Sequence, residues 1–273
     1  MPDRNDPAAS LCLKTDVAQT RLLGVRLDLL GLRETMARIG EACEGRHAPI
    51  QIVTVNLNFL TLARKSTALR AVINGAGLVT VDGRILLWLT RLLGRPAPEQ
   101  ITGHDLFRDG IALAAERNYR VFLLGAGPGV AAEVARRLQH DFPGLQVMGT
   151  EHGAFDAAGR AERPEALIAQ IRDFAPHMLF VSLGCPKQEL WIAANLPTLS
   201  VPMAVGVGCV LDVVGGKMRR APRWMQLAGL ESLFQLLTAP RRYARRYLRD
   251  DPPTLVLALG EILSRRLGLP PSA

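Results

Sequence analysis

Asp82 ends an apolar run and is followed at once by Gly83. A carboxylate at a strand end beside an apolar wall has a raised pKa and can act as a general base. An aspartate just before a helix is also an ordinary N-cap, here for a segment opening at Arg84, and spacing alone favours the cap. A second group, Pro186, Lys187, Gln188 and Glu189, follows Gly184 and reads as a helix start. Lys187 and the free amides there suit an anion, and Gln188 offers both a donor and an acceptor. A decorated helix start is the plainer alternative. A third group, Gly125, Gly127 and Gly129, comes between a strand pattern and a helix pattern. It resembles a dinucleotide fingerprint whose third small place is filled by Val130, with Glu151 standing where a ribose-binding acid would. Plain helix–strand packing explains the same glycines.

Other chemistries lack their residues. The histidines are scattered at 47, 104, 140, 152 and 177, with no DxD, HxxxH or HExxH, so no metal site is expected. No GxSxG elbow exists for serine catalysis. Cys12, Cys43, Cys185 and Cys209 make no CxxC pair and read as small buried hydrophobes in a reducing cytoplasm. A nucleotide-sugar enzyme built from this chain would have to neutralise its leaving diphosphate with Lys, Arg and helix termini.

Strand and helix patterns alternate around these residues. Strand patterns lie near 22–27, 50–55, 78–81, 119–124, 146–149, 178–182 and 202–207. Helical patterns occupy 31–44, 57–73, 84–93, 129–140, 163–174 and 187–195. Strands spaced this widely imply crossover units, so the expected fold is α/β and Rossmann-like, a mainly parallel sheet with helices on both faces. The unusual residues collect at strand ends: Thr54 to Asn56, Asp82 and Gly83, Gly125 to Gly129, Gly184 to Gln188, and Gly206 to Gly208. Ligands of open parallel sheets bind beyond that edge.

The 273 residues are 48% apolar, enough for a sizeable core, and no apolar run is long enough to span a bilayer. The N-terminus lacks signal-peptide character and reads as a disordered tail over residues 1–20. Charge is unevenly placed. From Lys217 onward there are eleven Lys and Arg against four Asp and Glu, while the preceding part is nearly neutral. Arg241, Arg242, Arg245, Arg246 and Arg249, mixed with Tyr243, Tyr247 and Leu248, form a basic amphipathic helical pattern. It suits an anionic lipid surface or nucleic-acid phosphates, and a solvated helix packed on the body is the alternative. The run 255–263 is too short to span and must lie on something.

Taken in order, TVN, VDG, TGHDLF, GCPKQELWIAANLP, GVGCVLDVVGGKMRRAPRWMQLAGLE and a Pro-Arg-Arg-Tyr segment resemble the WecG/TagA/CpsF glycosyltransferase family from about Leu22 to Leu248. The resemblance implies metal-independent, inverting transfer from a UDP-sugar to a polyprenyl-diphosphate-linked sugar, without a cofactor. The donor sugar would be N-acetylmannosamine, its uronic acid or a hexose. Asp82 falls on the family's base, Thr54 and Asn56 lie near the reacting centre, and Gln188 is a sugar or phosphate contact. Arg242 and Arg245 would hold the acceptor diphosphate. Gly83, Gln100, Gly125, Lys187, Glu189, Asp212 and Arg220 complete the implied substrate-binding set. Gln100 and Gln235 stand where the family often has arginine, which exchanges a fixed charge for a neutral hydrogen-bonding group.

The expected organisation is a body over 21–216, with halves at about 21–117 and 118–216, and a membrane- and acceptor-binding appendage over 217–273. Removing everything after Pro240 is expected to leave the body able to fold. The expected location is cytoplasmic, on the inner face of the membrane, with an anionic membrane surface as partner and no nucleic acid; homo-oligomerisation stays open. An NAD-dependent Rossmann oxidoreductase is the competing function.

Overall fold

A computed structural model describes residues 17–150 and 163–269. Cys12, Glu151, His152 and the Arg242 side chain lie outside the described residues. The chain folds into a six-stranded parallel sheet in the order β4-β3-β8-β7-β5-β6. Its strands are β3 (Ile50–Val55), β4 (Leu78–Val81), β5 (Val121–Gly125), β6 (Val147–Thr150), β7 (Met178–Ser182) and β8 (Met203–Gly206). The single strand expected over 22–27 is instead a hairpin, β1 (Gln19–Leu22) and β2 (Val25–Asp28), turned at Leu23 and Gly24. Residues 19 and 20, expected in the tail, are therefore paired.

Alternating side chains of the central strands serve opposite faces, as the pleat requires. Val121 and Leu123 of β5, and Met178 and Phe180 of β7, pack into one core. That core is covered by α1 (Leu32–Cys43), α5 (Gly103–Arg117), α6 (Val130–Asp141) and α9 (Val210–Val214). Phe122, Leu124, Leu179 and Val181 face the other side, under α7 (Pro164–Phe174) and α8 (Lys187–Leu199). At the β4 end a further core lies under α2 (Leu57–Lys65), α3 (Thr67–Gly75) and α4 (Arg84–Leu92). The helix expected over 57–73 is broken at Ser66, whose hydroxyl caps α3 by accepting from Leu69 N.

The hairpin closes the β4 edge through side chains. Asp28 Oδ2 accepts from Val79 N at 2.8 Å, and Arg26 donates to the carbonyls of Asn74 and Ala76. Arg26 and Asp28 are both buried and lie 3.2 Å apart. An edge amide that would otherwise invite another strand is thus satisfied internally.

The C-terminal segment is helical: α10 (Arg223–Ala228), α11 (Glu231–Thr238), α12 (Pro240–Arg245), a π-helical turn over Arg246–Asp250, and α13 (Asp251–Arg266). The apolar run 255–263 lies within α13, which packs on α2 and α4. Ala258 and Ile262 enter the core beneath those helices, and Thr61 Oγ1 donates to Asp251 Oδ1 at 2.9 Å. Among the described residues no helix is long and apolar enough to cross a membrane.

Candidate active site

The carboxyl ends of β4, β3, β8 and β7 open onto one cleft of about 630 Å³, roofed by the C-terminal helices. Thr54 and Asn56 come from the end of β3 and the turn after it, Asp82 from just past β4, Ser182 and Gly184 from the end of β7 and its turn, and Gly206 and Gly208 from the end of β8 and its turn. From the other side come Arg219, Arg220, Glu231, Gln235, Tyr243 and Arg246. This is the strand edge at which the sequence collects its polar turns.

Asp82 is not the cap of α4. That helix starts from Gly83, whose φ of +83° is open to glycine and strained for other residues. The Asp82 carboxylate instead receives Gln100 Nε2 on Oδ1 at 3.2 Å and a second bond from Asn56. Asp82 N donates to Val55 O, and Ile101 N to Val81 O, so both flanking segments are tied to the sheet. Protein encloses the carboxyl on most sides while one part faces the cleft. Burial pushes its pKa from 3.8 up to about 6; the Gln100 and Asn56 hydrogen bonds restrain the rise. A base poised near neutrality results.

Gln188 lines the cleft but is 2% exposed. Its Oε1 accepts from Gly184 N at 3.1 Å and Gly208 N at 3.0 Å, and its Nε2 donates to Glu189 Oε1 at 2.7 Å. Three of its four hydrogen-bonding positions are spent on protein. It therefore holds the β7 and β8 turns together. A Cβ at Gly206 would lie 2.4 Å from Gln188 Nε2, so glycine is required for this approach. Glu189 does not line the cleft. It is buried behind Gln188, where burial pushes its pKa up to about 7.

The remaining expected residues divide. Lys187, Asp212 and Arg220 line the cleft. Asp212 Oδ1 accepts from Gly127 N at 3.4 Å, and Arg220 Nε faces Glu231 at 3.6 Å. Of the glycine run, Ala126 alone reaches the cleft wall; Gly125 is buried, its φ of +92° turning the chain against Ser182. Val130, at the third fingerprint place, is a core residue. Arg245 is not brought to the cleft: it is 79% exposed and pairs with Asp250 at 3.5 Å. Arg246 is there instead, with Nη2 3.4 Å from Asn56 Oδ1 and Nε 3.3 Å from Asp251. Arg246 follows Tyr243, another cleft-lining residue, by three positions and so shares its helix face, while Arg245 is turned about 100° away from it. Cys185 and Cys209, expected as buried hydrophobes, are half-buried and line the cleft.

His104 was not singled out, though it lies in TGHDLF. It lines the cleft near the start of α5, where Thr102 and Asp105 form a reciprocal capping box. Burial, aided by Arg220, pushes its pKa down to about 4, so the ring is neutral at pH 7. Its Nε2 has no protein hydrogen-bond partner. Among the described residues no group of three or more His, Cys, Asp or Glu could hold a metal ion.

The arrangement offers one raised carboxylate opposite several cations in a strand-edge cleft, which suits deprotonation of a hydroxyl beside an anionic leaving group. The chain is 32% identical over 194 residues to N-acetylglucosaminyldiphosphoundecaprenol N-acetyl-beta-D-mannosaminyltransferase of Bacillus spizizenii, covering 71% of this chain and 73% of that protein. It is 29% identical over 195 residues to the protein of the same name from Bacillus subtilis, with the same coverage. The model of the glycosyl transferase WecG/TagA/CpsF family matches residues 20–268, almost the whole described chain, and the protein belongs to that family of glycosyltransferases.

Proposed function

We propose that the protein transfers N-acetylmannosamine, or a closely related sugar, from its UDP-sugar to an N-acetylglucosamine carried on polyprenyl diphosphate, in cell-surface polysaccharide synthesis. The observation that carries this is the placing of Asp82, with its pKa near 6, in a cleft whose other walls bear Lys187, Arg219, Arg220 and Arg246. In this reading Asp82 takes the proton of the acceptor hydroxyl. That oxygen bonds to the anomeric carbon from the face opposite the departing UDP, and the configuration inverts. The cations hold the two diphosphates and compensate the charge gathering on the leaving group. Neutral His104 and Thr54 line the same space as hydrogen-bonding groups for the sugars. The family membership and the relatives' names support the substrate class.

The same reading puts the protein on the cytoplasmic membrane surface without a resident metal. Arg241, Arg245 and Arg249, at i, i+4 and i+8, are exposed, as are Leu237 and Leu248 beside them. Such a surface suits anionic lipid. The test is turnover with a panel of UDP-sugars on an N-acetylglucosamine-diphosphate lipid, with and without EDTA. UDP-N-acetylmannosamine should give product of inverted anomeric configuration at a rate EDTA leaves unchanged. Lack of product with every UDP-sugar would remove the reading.

A further inference from the structure

Beside the cleft runs a second cavity, of about 340 Å³, whose walls are mostly carbon. Leu57 of α2, Ile85 and Leu86 of α4, Leu233 and Leu236 of α11, and Leu255 of α13 form it. It shares Asn56 and Arg246 with the cleft, and its lining includes Gly83, the residue after Asp82. We propose that this groove receives the first isoprenoid units of the acceptor, so that the polyprenyl chain leaves the active site between α4, α11 and α13. The proposal rests on the reading of the cleft given above.

The order of chemistry along the two cavities carries the argument. A lipid-linked acceptor runs from sugar to diphosphate to branched hydrocarbon. Along the protein, the Asp82 carboxylate comes first and the Arg246 guanidinium stands at the junction. The apolar wall comes last. Arg246 is fixed in place by Asn56, by Asp251 and by the face of Tyr247, 4.9 Å from the ring centre. It can meet an anion at the junction without swinging out of the groove wall. The outer mouth is also apolar. Ile85 is 43% exposed and Leu233 is 44% exposed. One turn further along the same helices, Trp88 and Leu237 are 50% and 70% exposed. A chain passing outward along this path moves from a protein groove toward residues suited to the bilayer interface, without crossing water. Continuity with the catalytic cleft argues for a substrate chain over a second protein copy.

The test is calorimetric titration of the full-length protein with farnesyl diphosphate and with methyl diphosphate, below the concentration at which the former aggregates. Both probes carry the same anion, so their ratio reads the groove. Farnesyl diphosphate should bind at least about tenfold more tightly, since burying a few methylene-sized groups is worth that much. In the Leu233→Gln/Leu236→Gln double variant the ratio should fall below about threefold. Leu263→Gln, exposed on α13 outside the groove, should keep the wild-type ratio. Equal affinities in the wild type, or a preference that survives the double substitution, would overturn the proposal. So would a wild-type dimer that the double substitution splits while the preference stays. The ratio needs no turnover, so absence of sugar transfer alongside an intact ratio would count against the glycosyl-transfer reading alone.

Discussion

Asp82 and the neutral donor beside it decide how this site responds to pH. With a pKa near 6, the carboxylate is charged at neutral pH, and kcat/KM should fall about tenfold per pH unit below about 6. Asp82→Asn should fold and bind UDP but lose about 10²- to 10⁴-fold in turnover, together with that acid limb. Steady-state rates from pH 4.5 to 8 check both points. Gln100 donates to Asp82 without carrying charge, so burial governs the pKa. Gln100→Arg would put a cation within a few ångströms and should move the limb down by about 1 unit or more. A limb that stays at 6 in that variant would detach it from Asp82. Glu189 titrates for structural reasons. Its folded pKa, about 7, lies above its ordinary 4.5, so its neutral form belongs to the folded state. Stability is full below 4.5 and is lost as pH rises through 7. Between those limits the wild type should lose about 3 kcal/mol relative to Glu189→Gln, measured by urea unfolding.

At the scale of elements, the hairpin and the β4 edge depend on one buried ion pair. Asp28→Ala would leave Arg26 uncompensated and orphan the amide of Val79. Removing one partner of a buried pair costs about 3–5 kcal/mol, and that is the expected loss on chemical denaturation. Sequence patterning placed β3, β4 and β7 at their observed bounds, because runs such as Ile50–Val55 and Met178–Ser182 are apolar throughout and flanked by turn residues. The hairpin was missed because its turn uses Leu23 at φ +49°, a residue type that carries no turn signal. The Ser66 break was missed because a hydroxyl cap inside an amphipathic stretch leaves the apolar period unbroken.

For the molecule as a whole, the C-terminal segment is both roof and core. Phe234, Tyr243 and Arg246 line the cleft, whereas Ala258 and Ile262 are buried against α2 and α4. Truncation after Asp250 removes Ala258, Ile262 and the Asp251 partner of Thr61. At about 1.5–3 kcal/mol for a fully buried large aliphatic side chain, the loss is several kcal/mol. Thermal unfolding should show a midpoint lower by roughly 10 °C. An unchanged midpoint would return this segment to the detachable appendage that its charge suggests.

The alternation of strand and helix, and the edge at which the reactive groups gather, are legible in the sequence. Both follow from local apolar periodicity and from turn residues that must sit at strand ends. The sequence also singled out Asp82, through its motif. What each group does there follows from the packed chain. Whether Asp82 caps a helix or faces a cleft depends on Gln100 and Asn56, which reach it from other segments. Gln188 holds two loops because Gly184 and Gly208, four and twenty residues away, both donate to it. Arg246 took the place expected for Arg245 because it shares the helix face of Tyr243, the face that packs over the cleft. Such long-range pairings, and the choice of which helix face is packed, leave no local pattern, since their free energy comes from contacts between residues distant along the chain.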